Sequence, residues 1–231
     1  MKTDPFRLKE YPKWDPRRAI PNLFARIQEA YTRAKFEAYE LPHHTLTTTS
    51  LLEAPDFEEE DTAVTPIHMQ HLQAAARYGL QAVSGGVVVE VGCYRGVTTQ
   101  VLANTVAPNT LVAIDPFIGW GGADKDYSVF QSRTDNLSNI QHERVTSGEA
   151  ARNWSFGTIG FVFIDAVHDY WNTKHDLHAW SEHLATGGLI ASHDTDQLQF
   201  AGTRRAVYEM SQKESFEIFA HVENLVILRK R

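Results

Sequence analysis

A single cysteine, Cys93, is all the thiol that this 231-residue chain contains. It has no internal partner for a disulfide, and that scarcity fits a reducing compartment. No stretch approaches the roughly 18 consecutive apolar residues that a membrane span needs. The opening segment, MKTDPFRLKEYPKWDPRR, is polar and broken by proline, without the apolar centre of a secretion signal. An excess of basic residues is missing as well. Lys and Arg number 22 against 29 Asp and Glu, a formal charge of −7, which argues against a nucleic-acid or anionic-membrane face. Repeats and low-complexity tracts are absent. What remains is ordinary globular usage, 42% hydrophobic and 22% charged, so the expectation is a folded cytoplasmic protein rather than a disordered one.

The first 45 residues differ from the rest, and residues 1–62 are read as an extension to a domain over 63–231. Pro5, Pro12, Pro16 and Pro21 are expected to keep the opening extended. Residues 22–31 then read as an amphipathic helix with Leu23, Ile27, Ala30 and Tyr31 on one stripe, ended by Pro42. That stripe needs cover, from the pocket or from a second subunit, which would make a homodimer. The acidic run at 56–61 reads as a solvated loop. A second helix is expected from about Pro66 to Leu80.

From residue 87 short β-branched runs alternate with helical spacing. The runs 87–91 (VVVEV), 111–114 (LVAI), 161–164 (FVFI) and 188–191 (GLIA) lack the polar alternation of a half-exposed strand. They suit a parallel sheet covered by helices on both faces. Between them Tyr170, Thr173, Leu177, Trp180 and Leu184 recur at helical spacing. Residues 216–220 and 224–228 are joined by a turn too short for a parallel crossover, so they must pair antiparallel. The fold class is therefore α/β: a Rossmann-like doubly wound sheet, mostly parallel, closed by an antiparallel C-terminal hairpin.

Strand 87–91 runs into a glycine turn, Glu90-Val-Gly-Cys-Tyr-Arg-Gly96. Gly92 and Gly96 let the backbone turn sharply and approach a ligand, with Tyr94 between them. Asp115 follows at the tip of the next strand, where a carboxylate can take both hydroxyls of a ribose. The turn has two glycines where a pyrophosphate loop wants G-x-G-x-x-G. The carboxylate of Glu90 would repel pyrophosphate and suit a cationic amino-acid moiety such as a methionyl ammonium. The plainer alternatives are a carboxylate capping the turn amides for Glu90, a strand-end turn residue for Asp115 and an ordinary loop for Ser147 to Glu149. Further on, Asp165 ends one inner strand and His193 with Asp194 ends the next. Ligands of open parallel sheets bind outside these carboxyl ends, so the three should converge.

These motifs resemble those of class I S-adenosylmethionine-dependent methyltransferases. Residues 90–96 are similar to their first motif, Asp115 to their ribose-binding acid and Ser147 to Glu149 to their adenine-edge segment. The pattern I-D-x-x-H-x-Y, D-L-x-x-W and H-D, from Ile164 to Asp194, resembles a bacterial group of small-molecule O-methyltransferases. That group acts on macrolide sugars and aminocoumarins and is distantly like the catechol enzymes. The likeness covers roughly residues 65–229.

It implies S-adenosylmethionine as cofactor, contacted by Glu90, Gly92, Tyr94, Gly96, Asp115, Ser147, Glu149 and Asp165. It also implies transfer to a hydroxyl of a sugar or phenol, with His168 as general base beside Asp165. A divalent cation, Mg²⁺ or Mn²⁺, is implied at Asp165, His193 and Asp194. Those relatives mostly carry a carboxylate where this chain has His193, and an imidazole favours Mn²⁺, Fe²⁺ or Zn²⁺ over Mg²⁺. Alternatively no metal binds, and His193 is a second base oriented by Asp194. Tyr170, Trp120 and Arg204 are the candidate acceptor contacts, Trp120 on a glycine-rich loop able to act as a lid. The competing readings are an NAD-dependent oxidoreductase, a non-catalytic cofactor-binding subunit, a hydroxylase-like protein and a methyltransferase acting on nitrogen.

Overall fold

The computed structural model describes residues 5–46, 51, 56–118 and 122–231. Trp120 lies outside them. Seven strands form one sheet: β1 (Val87–Val91), β2 (Leu111–Ile114), β3 (Ile140–Glu143), β4 (Ile159–Ile164), β5 (Leu184–Ser192), β6 (Phe216–Val222) and β7 (Leu225–Lys230). Their order is β3-β2-β1-β4-β5-β7-β6. The first five run parallel, while β7 is antiparallel to both β5 and β6. The antiparallel β7 between β5 and β6 separates this sheet from the all-parallel 3-2-1-4-5-6 order of dinucleotide-binding domains. The expected mixed sheet is what the chain forms.

Helices α2 (Pro66–Ala82), α3 (Val97–Val106) and α4 (Asp124–Thr134) cover one face, and α5 (Ser147–Arg152), α6 (Tyr170–His183) and α7 (Ala201–Ser211) cover the other. Alternation within β1 explains the two cores. Val88 packs with Met69, Leu72 and Leu102 on the first face, and Val87, Val89 and Val91 pack with Leu177 and Trp180 on the second. Strand β3, with sequence IQHE, is half-exposed and lies at the sheet edge, which is why apolar run-length did not find it. Among the described residues no helix is long and apolar enough to cross a membrane.

The N-terminal extension departs from expectation. Helix α1 spans Pro16–Ala34, so Pro16 begins a helix instead of prolonging an extended run. Asp15 caps it by accepting from the Arg17 amide at 2.9 Å, and Pro16 takes the first helical position, where its missing N–H is no loss. Pro21 sits inside the helix, and the end comes at Ala34, well before Pro42. The acidic run is not a free loop either: residues Glu59–Asp61 form a short 3₁₀ helix that is held to the domain.

Candidate active site

The cleft opens at the carboxyl ends of β1, β2, β4 and β5, with a volume of about 880 Å³. Its floor is the turn after β1. Val91 pairs with Ile164 across the sheet, which sets the next residues, Gly92 and Asp165, side by side. Gly92 has φ +90°, and a Cβ placed there would lie 2.1 Å from the Asp165 carbonyl oxygen. Gly96, at φ +79°, starts α3, where a Cβ would press on the Phe130 ring at 2.9 Å.

Asp115, at the end of β2, braces this turn. Its Oδ2 accepts from the Cys93 and Tyr94 amides at 3.0 and 3.1 Å, and its Oδ1 from the Phe117 amide at 2.7 Å. Burial raises its pKa above the ordinary carboxylate value, and these three amides counter that rise. Glu90 faces α3, 1% exposed, and accepts from Thr99 Oγ1 at 2.5 Å. Burial pushes its pKa up to about 8, opposed by the Thr99 bond and reinforced by the negative charges of Asp165 and Asp115. An ammonium brought beside it would draw that pKa down again.

Linkage makes Glu90 testable. Its folded pKa of about 8 lies above the free value of 4.5, so the folded chain holds a proton that the unfolded chain releases. The stability this confers is full below pH 4.5 and is lost as pH rises through about 8. Glu90→Gln keeps an acceptor for Thr99 and has no proton to lose. Its melting temperature relative to wild type should therefore rise steadily between pH 4.5 and about 8. A difference that is flat with pH would mean that position 90 carries an ionised carboxylate throughout.

Opposite this turn, Thr146 caps α5, accepting from the Glu149 amide at 3.3 Å. Ser147 Oγ faces the cleft, donating to Asp176 Oδ1 at 2.6 Å and accepting from Trp180 Nε1 at 2.9 Å. Asp176 is 5% exposed and lines the cleft with Asn172. The signal was available. Asn172, Asp176 and Trp180 are spaced four apart, so Asp176 had to share the buried face assigned to Trp180. Glu149 and Gly96 do not line the cleft.

The acceptor side is built at the ends of β4 and β5. Asp165, His168 and Asp194 each present a ligand-type atom, all within 4.8 Å of one another. His168 Nε2 lies 3.4 Å from Asp194 Oδ2 and 3.7 Å from Asp165 Oδ1. Asp194 adopts φ +57°, a left-handed backbone that aspartate tolerates at functional turns. Its Oδ1 is held by Gln197 Nε2 at 3.1 Å and Asn224 Nδ2 at 3.0 Å.

His193 lies beneath these groups, 1% exposed and outside the cleft lining. Its Nδ1 is 3.5 Å from both Asp165 and Asp194, within ion-pair range but long for a hydrogen bond. Burial would lower its pKa, but the negative charge of the nearby Asp165 and Asp194 carboxylates overcomes that and raises it to about 10. Its Nε2 contacts His68 Nδ1 at 3.2 Å, and His68 Nε2 lies 2.9 Å from Glu223. His68 is driven down to about 4, by burial first and by the neighbouring His193 second. Asp165 is lowered too: burial would raise it, but His193, His168 and His68 together hold it below the usual carboxylate value.

Two candidate acceptor contacts are elsewhere. The Tyr170 hydroxyl donates to Glu209 at 2.9 Å and accepts from Lys174 at 2.6 Å, away from the cleft. Arg204 is buried, donating to the Tyr39 carbonyl at 2.9 Å and pairing with Asp196, so it anchors the N-terminal segment instead of facing the cleft. The wall is completed by residues that sequence reading left out, Phe6, Phe200 and the stretch 60–63. Arg95 fixes that stretch, bonding Asp61 at 2.5 Å and Asp126 at 2.9 Å, while Arg133 bonds Asp61 at 3.0 Å and Glu58 at 2.5 Å.

Residues 89–195 match a family model described as a methyltransferase domain. No curated protein matches the chain significantly in sequence. Among solved structures it is similar to the O-methyltransferase TomG of Streptomyces achromogenes, involved in tomaymycin synthesis and solved with S-adenosylmethionine. The TM-score is 0.58 at 13% identity, over 89% of each chain. A Bacillus cereus O-methyltransferase solved with S-adenosylhomocysteine gives a TM-score of 0.53 at 16% identity, over 87% of this chain and 90% of that one. CalS11, a TDP-rhamnose 3'-O-methyltransferase of calicheamicin biosynthesis, gives 0.51 at 16% identity, over 72% of this chain and 81% of that one. At such identities the likeness is one of fold. The span that matches the methyltransferase-domain model holds the glycine turn, Asp115, Asp165, His168 and Asp194, and the chain shares the fold of these methyltransferases.

Proposed function

We propose that this cleft binds S-adenosylmethionine over the Gly92 turn and transfers its methyl group to a hydroxyl oxygen of a small metabolite, a sugar or a phenol. The convergence of Asp165, His168 and Asp194 in the cleft that the glycine turn floors carries this reading. A bond forms between the acceptor oxygen and the methyl carbon as the carbon–sulfur bond breaks, its electron pair staying on sulfur. The hydroxyl proton passes to the His168 imidazole. A phenol titrates near 10 and histidine near 6.5, so complete transfer to an isolated imidazole would cost roughly 4.8 kcal/mol. Asp194, 3.4 Å from His168 Nε2, stabilises the imidazolium and reduces that cost. TomG and CalS11, named for small-metabolite pathways, support the acceptor class.

Titration with S-adenosylhomocysteine tests the cofactor half. The wild-type chain should bind it, and Asp115→Ala should weaken binding by about 1.5–3 kcal/mol, as expected for lost hydrogen bonds to a charged group. Because Asp115 already accepts three backbone amides, part of that loss would come from a slackened turn. Equal affinity in the two proteins would put the ribose elsewhere.

The proximity of Asp165, His168 and Asp194 favours a second, metal-assisted reading. Two carboxylates and one imidazole fit a divalent cation, and the nitrogen suits Mn²⁺, Fe²⁺ or Zn²⁺ better than Mg²⁺. His193, which the sequence pattern put among the ligands, would orient Asp165 and Asp194 from behind them. A bound ion would stabilise the developing alkoxide as a Lewis acid. Mn²⁺ should then raise the melting temperature of the wild-type protein and not that of Asp165→Ala. Turnover unaffected by a strong chelator would leave His168 as the sole aid to deprotonation.

A further inference from the structure

Helix α1 is amphipathic the wrong way round. Its polar side faces the body, where Thr32 is fully buried and bonded by Arg205 at 3.3 Å, and Arg33 donates to the Gln199 carbonyl at 3.2 Å. Its apolar side faces out. Ile20, Leu23, Phe24, Ile27 and Tyr31 recur at spacings of three and four and are 50–62% exposed, with Trp14 at 79% just before the helix. Taking about 200 Å² for each large side chain, the stripe and Trp14 together offer roughly 700 Å² of apolar surface. A monomer rarely leaves so much uncovered in one place, and it is close to the ~800 Å² that each partner contributes to a stable interface.

We propose that a second copy of this chain covers the stripe, α1 packing antiparallel on α1 about a two-fold axis. An isologous contact requires a surface that complements itself. About an axis midway between Phe24 and Ile27, Phe24 of one copy meets Ile27 of the other, and Ile20 meets Tyr31. Large side chains then face large ones along some 16 Å of helix, at 1.5 Å per residue. No charge interrupts the stripe. Three of the cations on its flanks are already engaged, Arg17 with Asp15, Arg33 with Glu29 and Lys35 over the Tyr31 ring, while Arg26 is exposed. An anionic bilayer would need those cations free, and a chain of net charge −7 is repelled by it. Pairing also braces the cleft, since α1 holds Gln199, a residue of its wall.

Light scattering on the full chain should give twice the 26.1 kDa monomer mass. Ile27→Glu and Leu23→Glu should each halve that mass with an unchanged circular dichroism spectrum, because both side chains are exposed. A Phe24→Cys, Ile27→Cys double variant treated with a short bismaleimide should migrate as a dimer on a denaturing gel, the buried Cys93 taking no part. A monomeric wild type would overturn the proposal, as would a dimer that survives Ile27→Glu. Monomers that sediment with anionic vesicles would assign the stripe to a lipid surface. The outcome is independent of whether the cleft transfers methyl groups.

Discussion

Replacing His168 with glutamine should lower kcat for a hydroxyl acceptor by about 10²–10⁴, the usual worth of a positioned base. Binding of S-adenosylhomocysteine should change by less than about twofold, because the groups expected to hold it, on the Gly92 turn and at Asp115, Ser147 and Asp165, do not include His168. Glutamine is close to histidine in reach and can still bond Asp194, 3.4 Å from the imidazole in the wild type, so local collapse is not the cause being tested. The two kinetic constants divide the outcomes. A fall in kcat with KM unmoved marks an interaction made in the transition state, whereas a rise in KM alone would make His168 a binding residue. Unimpaired turnover in His168→Gln would remove this side chain from the chemistry and leave Asp165 and Asp194 to act on the acceptor.

The parts of this molecule that sequence made legible are those where one local rule dominates. Strands β1, β2 and β4 are apolar runs, interrupted in β1 only by Glu90, because both of their faces are covered, and the hairpin of β6 and β7 follows from its short connection. Strand-end topology predicts that Asp165, His193 and Asp194 converge; Asp165 and Asp194 do meet in the cleft, while His168, which only the resemblance pointed to, stands where His193 was expected. Long-range pairing left no such trace. Asp61 belongs to an acidic run that looks solvated until Arg95 and Arg133, 34 and 72 residues away in sequence, are seen to hold it. His193 and His168 are indistinguishable by composition. The direction of each side chain at the end of its strand puts one beneath the carboxylates and the other in the cleft. Tyr170 and Arg204 carry chemistry suited to an acceptor site, yet their partners Glu209 and Tyr39 lie on other elements that no periodicity reveals.

Gly92→Ala should be the most damaging small substitution in the cleft. Two independent penalties act at this position. The backbone sits at φ +90°, where an L side chain is strained by about 1–3 kcal/mol. The added methyl would also meet the Asp165 carbonyl oxygen at 2.1 Å, with Ala166 Cα at 2.9 Å, so backbone and not a flexible side chain must give way. Overpacking of this kind costs about 1–3 kcal/mol more. Together they predict a loss on the order of 4 kcal/mol, or a fall of about 8–16 °C in Tm for a domain of this size. The displacement has a direction. Pushing the end of β4 away from β1 moves Asp165, and His168 with it, relative to the floor where the methyl donor is expected to lie. Misplacing reacting groups by about 1 Å can cost 10²-fold in rate. Methyl transfer should therefore fall further than the loss of folded protein explains, even below the lowered melting point. Gly96→Ala is the matched control: it has a similar positive φ, but its methyl would meet the Phe130 ring at 2.9 Å, a side chain able to shift. It should lose stability while retaining most of its activity per folded molecule. Equal activity losses in the two variants would mean that the separation of β1 and β4 at Gly92 does not set the alignment of donor and acceptor.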